Sequence, residues 1–93
     1  MAKSIKSDLD KAISLLKEEG CSEIYVFGSV AEGSFEEESD IDLAVKGIPS
    51  GSFFRLLGLL MSELDHPVDL VDLDSEDDFS KFLKEEGELV RAS

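Results

Sequence analysis

Glu23–Phe27 reads EIYVF, five residues in which β-branched and aromatic side chains sit at successive positions. Successive residues of a strand point to opposite sides, so this run turns apolar groups to both faces. A strand of that kind is a central one, covered on each side by other elements. Gly28-Ser29 ends the run abruptly.

Two more strands are predicted. Asp40–Lys46 reads DIDLAVK, with Ile41, Leu43 and Val45 on one face and Asp40, Asp42 and Ala44 on the other. Pro67–Leu73 reads PVDLVDL and is the third. Between and around them the apolar period changes to that of a helix. Ser7 is a candidate N-cap for a first helix carrying Leu9, Ala12, Ile13 and Leu16, with Gly20 as its stop. Val30–Ser39 is polar and acidic and reads as a short helical turn followed by a loop. Ser52–Leu64 presents Phe53, Leu56, Leu57, Leu60 and Leu64 as an inward stripe, widened by Phe54 and Met61, with Leu59 outside it. Ser75 is the candidate cap of a last helix with Phe79, Phe82 and Leu83 on its apolar face, and Leu89 and Val90 form an apolar tail. The expectation is an α/β fold in which a small mixed sheet of about three strands packs with about four helices. The chain of 93 residues reads as one domain over 1–93.

Charge narrows the function. With 22 acidic and 9 basic residues the net charge is −13, which excludes a protein that holds nucleic acid by its phosphates or adsorbs to an anionic membrane. Cation binding and a basic protein partner fit it. Cys21 is the single cysteine, so no internal disulfide forms; it reads as a small buried hydrophobe in a cytoplasmic protein. No signal peptide or membrane span is expected.

The chemistry concentrates in FGSVAEGSFEEESDIDLAV. Asp40 and Asp42 stand side by side on one strand face, and paired carboxylates suit Mg²⁺, which takes one or two of them together with substrate phosphates. A lone Asp-x-Asp is more often a solvated strand face. Glycine lets backbone come close to a phosphate, and the hydroxyl of Ser29 adds a donor. A lone Gly-Ser after a strand is more often an ordinary turn. Here the two occur together: Gly28-Ser29, ten residues, then Asp40-x-Asp42, on strand, turn and strand. That pattern resembles the DNA polymerase β-like nucleotidyltransferase superfamily, and its minimal branch above all, the MNT domains often paired with HEPN proteins. Asp69, near the start of the third predicted strand, matches the family's third carboxylate, and FLKEEGELVRA is similar to its C-terminal pattern.

The resemblance implies transfer of a nucleoside monophosphate, AMP from ATP, to an acceptor hydroxyl such as a tyrosine of a HEPN toxin, which makes the protein an antitoxin. It implies that Asp40, Asp42 and Asp69 hold two Mg²⁺ ions and carry the catalysis, and that Gly28 and Ser29 hold the β- and γ-phosphates. Asp69 would also help deprotonate the acceptor. One departure stands out: Glu32 occupies a place where many minimal members carry Arg or Lys, and Glu36, Glu37 and Glu38 follow it. Lys46 is a candidate substitute, although a solvated strand end is its ordinary role. The alternative is an acidic module, weak or inactive in catalysis, that neutralises a partner by direct association. The wide apolar face of Ser52–Leu64 suits either burial on two sides or an interface, and an oligomer is compatible with it. His66, alone before Pro67, shows no partner in the sequence, and Asp72 reads as a strand-end residue on the opposite face from Asp69.

Overall fold

The EIYVF run, β1 (Glu23–Phe27), takes the central place that its pattern requires. In the computed structural model, which describes residues 5–28, 40–49, 51–75, 77–85, 87 and 89–92, β1 lies between β2 (Ile41–Lys46) and β4 (Val90–Arg91). The sheet order is β3-β2-β1-β4, with β3 (Val68–Asp72) at the far edge. Pairing is antiparallel between β1 and both of its neighbours and parallel between β2 and β3.

Two helices cover one face of this mixed sheet. From α1 (Ile5–Glu18), Leu9, Ala12 and Leu16 pack into a core with Ile24 and Val26 of β1 and with Ile41, Leu43 and Val45 of β2. From α2 (Phe53–Glu63) and its C-cap come Leu56, Leu60 and Leu64. Each such side chain contributes roughly 1.5–3 kcal/mol when fully buried, so this face carries most of the fold's stability. The opposite face holds a smaller cluster, in which Ala44, Leu73 and Leu83 are buried and Tyr25, Phe27, Val71 and Leu89 are partly so. Leu83 belongs to α3 (Asp78–Glu85), which lies on this side.

The α/β class is as expected, with differences in detail. The apolar tail at Leu89-Val90 supplies a fourth strand: Val90 pairs with Val26, Arg91 with Tyr25, and the Ala92 amide donates to the Ile24 carbonyl at 2.8 Å. Two residues are too few to show a period. Three α-helices are present among the described residues, and the helical turn expected over Val30–Ser39 lies outside them. α1 already includes Ile5, so Ser7 lies within the helix and is not its cap, and Ile5 extends the buried stripe by one turn. It ends as Gly20 predicts: Gly20 has φ of 101° and its amide donates to Lys17, while the Cys21 amide donates to Leu16. These two bonds form a Schellman motif. Cys21 is buried, and burial together with the Asp72 and Glu19 charges pushes its thiol up.

Phe54 and Met61 do not widen the inward face of α2; they are 81% and 64% exposed. α3 also departs from expectation. Its cap is Asp77 and not Ser75: Asp77 Oδ1 accepts from the Ser80 amide at 2.7 Å, and the Ser75 hydroxyl donates to Asp77 Oδ2 at 2.8 Å. Of the expected apolar face only Leu83 is buried, beside Ser80, whose hydroxyl donates to the Asp72 carbonyl at 2.9 Å. Phe79 and Phe82 remain 51% and 56% exposed.

Candidate active site

Register decides which side chains meet. Phe27 of β1 pairs with Asp42 of β2, and Asp42 pairs with Asp69 of β3. Paired residues on neighbouring strands share a face, so Phe27, Asp42 and Asp69 form one row across the sheet. The row lies on the face opposite to Ile41, Leu43 and Val45, as the alternation in DIDLAVK requires. Asp40 sits just before β2, exposed, two residues back along the same strand direction.

Asp42 and Asp69 are in direct contact, and the contact is electrostatically unfavourable. The Asp42 carboxyl is pushed up to about 6, first by burial, then by the Asp69 charge, the hydrogen bond it shares with Asp69, and the Asp40 charge. Two carboxylates that face each other cannot both ionise freely. None of the ion pairs between described residues involves Asp40, Asp42 or Asp69.

Gly28 is part of the same structure. It follows β1 with φ of 75°, a backbone conformation that favours glycine. A Cβ at this position would lie 2.3 Å from Asp42 Oδ2. The absent side chain is what leaves room for the Asp42 carboxylate against the backbone of the turn. The sequence placed Gly28 and Asp42 in one motif, and the structure brings them into contact.

The comparisons agree with this arrangement. Residues 10–92 match the family model described as "Polymerase beta, Nucleotidyltransferase". The chain belongs to that family. Among solved structures it is similar to a toxin–antitoxin with AMP-PNP, at 34% identity and a TM-score of 0.65, over 86% of this chain and 69% of that one. A second is an MntA toxin–antitoxin complex with Asp→Glu changes at two positions two residues apart, at 30% identity and a TM-score of 0.62, covering 86% and 69%. A third is a tri-AMPylated Shewanella oneidensis HEPN toxin in complex with an MNT antitoxin, at 34% identity and a TM-score of 0.57, covering 77% and 58%. A comparison with curated protein sequences found no match.

For this nucleotidyltransferase domain the donor set fits a divalent cation. Among the described residues no three His, Cys, Asp or Glu side chains gather closely enough to enclose a metal ion by themselves. What is assembled is the Asp42–Asp69 pair, with Asp40 near enough to raise Asp42 further. Two hard oxygen donors with an open side suit Mg²⁺, which completes its shell with water and phosphate oxygens. A cation between the two carboxylates would also offset the burial of Asp42 and the Asp69 and Asp40 charges that together lift it.

Ser29 and Glu32 lie outside the described residues. Lys46 is at the opposite end of β2 from Asp42, paired with Glu23, and does not reach the carboxylate row. Asp72 is a strand-end residue, as expected: its Oδ1 accepts from the Asp74 amide at 2.9 Å. No described helix is long and apolar enough to cross a membrane.

Sequence reasoning missed one pair altogether. Asp8 of α1 is fully buried, and its Oδ2 accepts from the Asp65 amide at 2.8 Å and the His66 amide at 2.9 Å, with His66 Nδ1 at 2.6 Å. His66 is itself 7% exposed. This tie fixes the bend that leads into β3, and so it sets the strand that carries Asp69. The signal was present: Asp8 falls on the stripe of Ile5, Leu9 and Ala12, where a carboxylate needs a buried partner.

Proposed function

We propose that this chain, taken over 1–93 as one nucleotidyltransferase domain, transfers AMP from ATP to an acceptor hydroxyl on a HEPN-type toxin and so acts as its antitoxin in the cytoplasm. The observation that carries the reading is the Asp42–Asp69 contact beside Gly28. It is a carboxylate pair held at high energy, open on one side, and adjacent to a turn that permits close approach of phosphate.

The reaction needs positioning and charge neutralisation more than covalent help. Mg²⁺, when bound by Asp40, Asp42 and Asp69, would neutralise the triphosphate and favour the ionised acceptor. Gly28 and Ser29 would hold the β- and γ-phosphates, which would leave the α-phosphorus toward the carboxylate row. The acceptor oxygen bonds to that phosphorus as the bond to the bridging α,β-oxygen breaks, and pyrophosphate leaves with the electron pair. The acceptor proton passes to Asp69, which is exposed on the edge strand and therefore accessible from outside. The tri-AMPylated toxin in one similar complex and the AMP-PNP in another support the transferred group and its donor.

The test is transfer of label from α-labelled ATP to a co-purified HEPN-type protein. Transfer that needs Mg²⁺ and is lost in Asp42→Asn is the expected result. Partner binding without label transfer in the wild type overturns the enzyme reading. That outcome favours the alternative of an acidic docking module, for which the exposed Phe54 and Met61 of α2 provide an apolar surface.

A further inference from the structure

The carboxylate row does not end at Asp42. Its third member is Phe27, which is only partly buried. Against Phe27 stands Phe79 of α3, ring centroids 6.3 Å apart and planes at 65°. Phe79 is 51% exposed, on a helix that offered it a core position. Beside Phe79 a groove of about 380 Å³ opens, lined also by Val71, Asp72, Ser75 and Asp77 and continuing round the β3 edge to Leu70 and Phe53. That volume is within the range of small-molecule sites (~300–1,000 Å³). The exposed Phe79 ring, in contact with Phe27 of the row, and Val71, two residues after Asp69 on β3, thus lie on the same sheet face as Asp42 and Asp69.

We propose that Phe79, braced edge-on by Phe27, is the stacking platform for the nucleobase of the bound triphosphate. The inference rests on the reading of Asp42 and Asp69 as the triphosphate's site. Every base has an aromatic face, so stacking on Phe79 adds affinity while discriminating little between bases. It also accounts for the exposure: Phe79 covers the base instead of the core. α3 is held for this task by its Asp77 cap and by the Ser80 hydroxyl on the Asp72 carbonyl.

Calorimetric titration of the full chain with Mg-ATP and, separately, with Mg²⁺ and inorganic tripolyphosphate tests it. Phe79→Ala is expected to weaken ATP roughly tenfold or more, the scale of one lost base stack, and to leave tripolyphosphate unchanged. Phe79→Trp keeps ATP affinity, and Phe54→Ala, a still more exposed aromatic on the other side of the sheet, changes neither ligand. Circular dichroism of each variant checks that α3 persists. The proposal is overturned if Phe79→Ala keeps wild-type ATP affinity, or if it weakens both ligands equally. Wild-type ATP binding that Asp42→Asn removes and Phe79→Ala does not would sink the platform and leave the nucleotidyltransferase reading standing. A wild-type chain that binds neither ligand sinks both.

Discussion

Asp8 and Asp42 are both aspartates packed against the core, Asp8 fully buried and Asp42 half-buried, and their surroundings drive them in opposite directions. Burial pushes the Asp8 carboxyl up, but the His66 ring and the amides of His66 and Asp65 outweigh it and bring it below the usual carboxylate range. At Asp42 burial acts the same way, and the neighbours are Asp69 and Asp40, so every influence adds and the carboxyl rises to about 6. The difference is one of partners more than of depth. A carboxylate supplied with donors holds the fold together. A carboxylate supplied with another carboxylate stores unfavourable energy that a cation can release. The α1–α2 side of the sheet contains the first kind and the α3 side the second.

Replacing Asp42 gives the largest expected effect. Asp42→Asn should lower AMP transfer by about 10²-fold or more, the scale expected when a charge-stabilising group is removed. The same variant should be more stable than wild type when EDTA is present and nucleotide absent. A raised carboxyl contributes stability that is complete below its unfolded value, roughly 3.9, and is lost as pH rises through about 6. Asparagine has no such loss. Thermal melts should therefore show the variant a few degrees above wild type at pH 8, with the gap closing near pH 4. A variant less stable than wild type at pH 8 would break the contrast with Asp8.

Asp8→Ala comes next. It removes the acceptor shared by two amides and the buried His66 ring, a loss of roughly 3–5 kcal/mol and a large share of the ~5–15 kcal/mol typical of a domain. Urea unfolding measures it, and Asp8→Asn, which keeps an acceptor oxygen, should lose less. The pH dependence is opposite to that of Asp42. The lowered Asp8 carboxyl contributes stability above its unfolded value, and that contribution disappears as pH falls through the folded one.

These two sites were not equally legible. Strand alternation brought Asp40 and Asp42 to one face, the family resemblance linked them to Gly28 and pointed to Asp69, and the parallel register of the structure sets Asp69 beside Asp42. Of these only the alternation follows from a local period; the rest was legible through a motif whose members lie close along the chain. Asp8 and His66 are 58 positions apart, and no period relates a helix stripe to a turn so far along the chain. β4 escaped notice because Val90–Arg91 is too short to carry a pattern. Phe79 and Phe82 have helical spacing with Leu83, but spacing cannot tell how much of a helix face the sheet will cover. Asp77 took the cap from Ser75 because its carboxylate reaches the Ser80 amide and accepts from Ser75 as well.

Gly28→Ala should act on both stability and binding, at a smaller scale. The backbone strain at φ of 75° and the collision with Asp42 Oδ2 together amount to about 1–3 kcal/mol. In an Asp42→Ala background the collision is gone and only the backbone strain remains. A double-mutant cycle should therefore give a coupling of about 1 kcal/mol between the two positions. Additive losses would mean that Gly28 serves its turn alone and leaves no room for Asp42.

Lys46→Gln tests the same comparison with the smallest expected effect. Lys46 is on the strand that carries Asp42 and is positively charged, so charge alone suggests that it assists a bound triphosphate. Four residues of strand separate the two, about 13 Å at ~3.3 Å per residue. That exceeds the ~8 Å over which exposed charges act at physiological salt. The pairing of Lys46 with Glu23 also places it at the far end of the β1–β2 ladder from Phe27 and Asp42. Affinity for Mg-ATP should change by less than about twofold at 0.15 M salt. A larger loss would mean that the triphosphate extends along β2 and not toward the turn at Gly28, and the phosphate site would have to move with it.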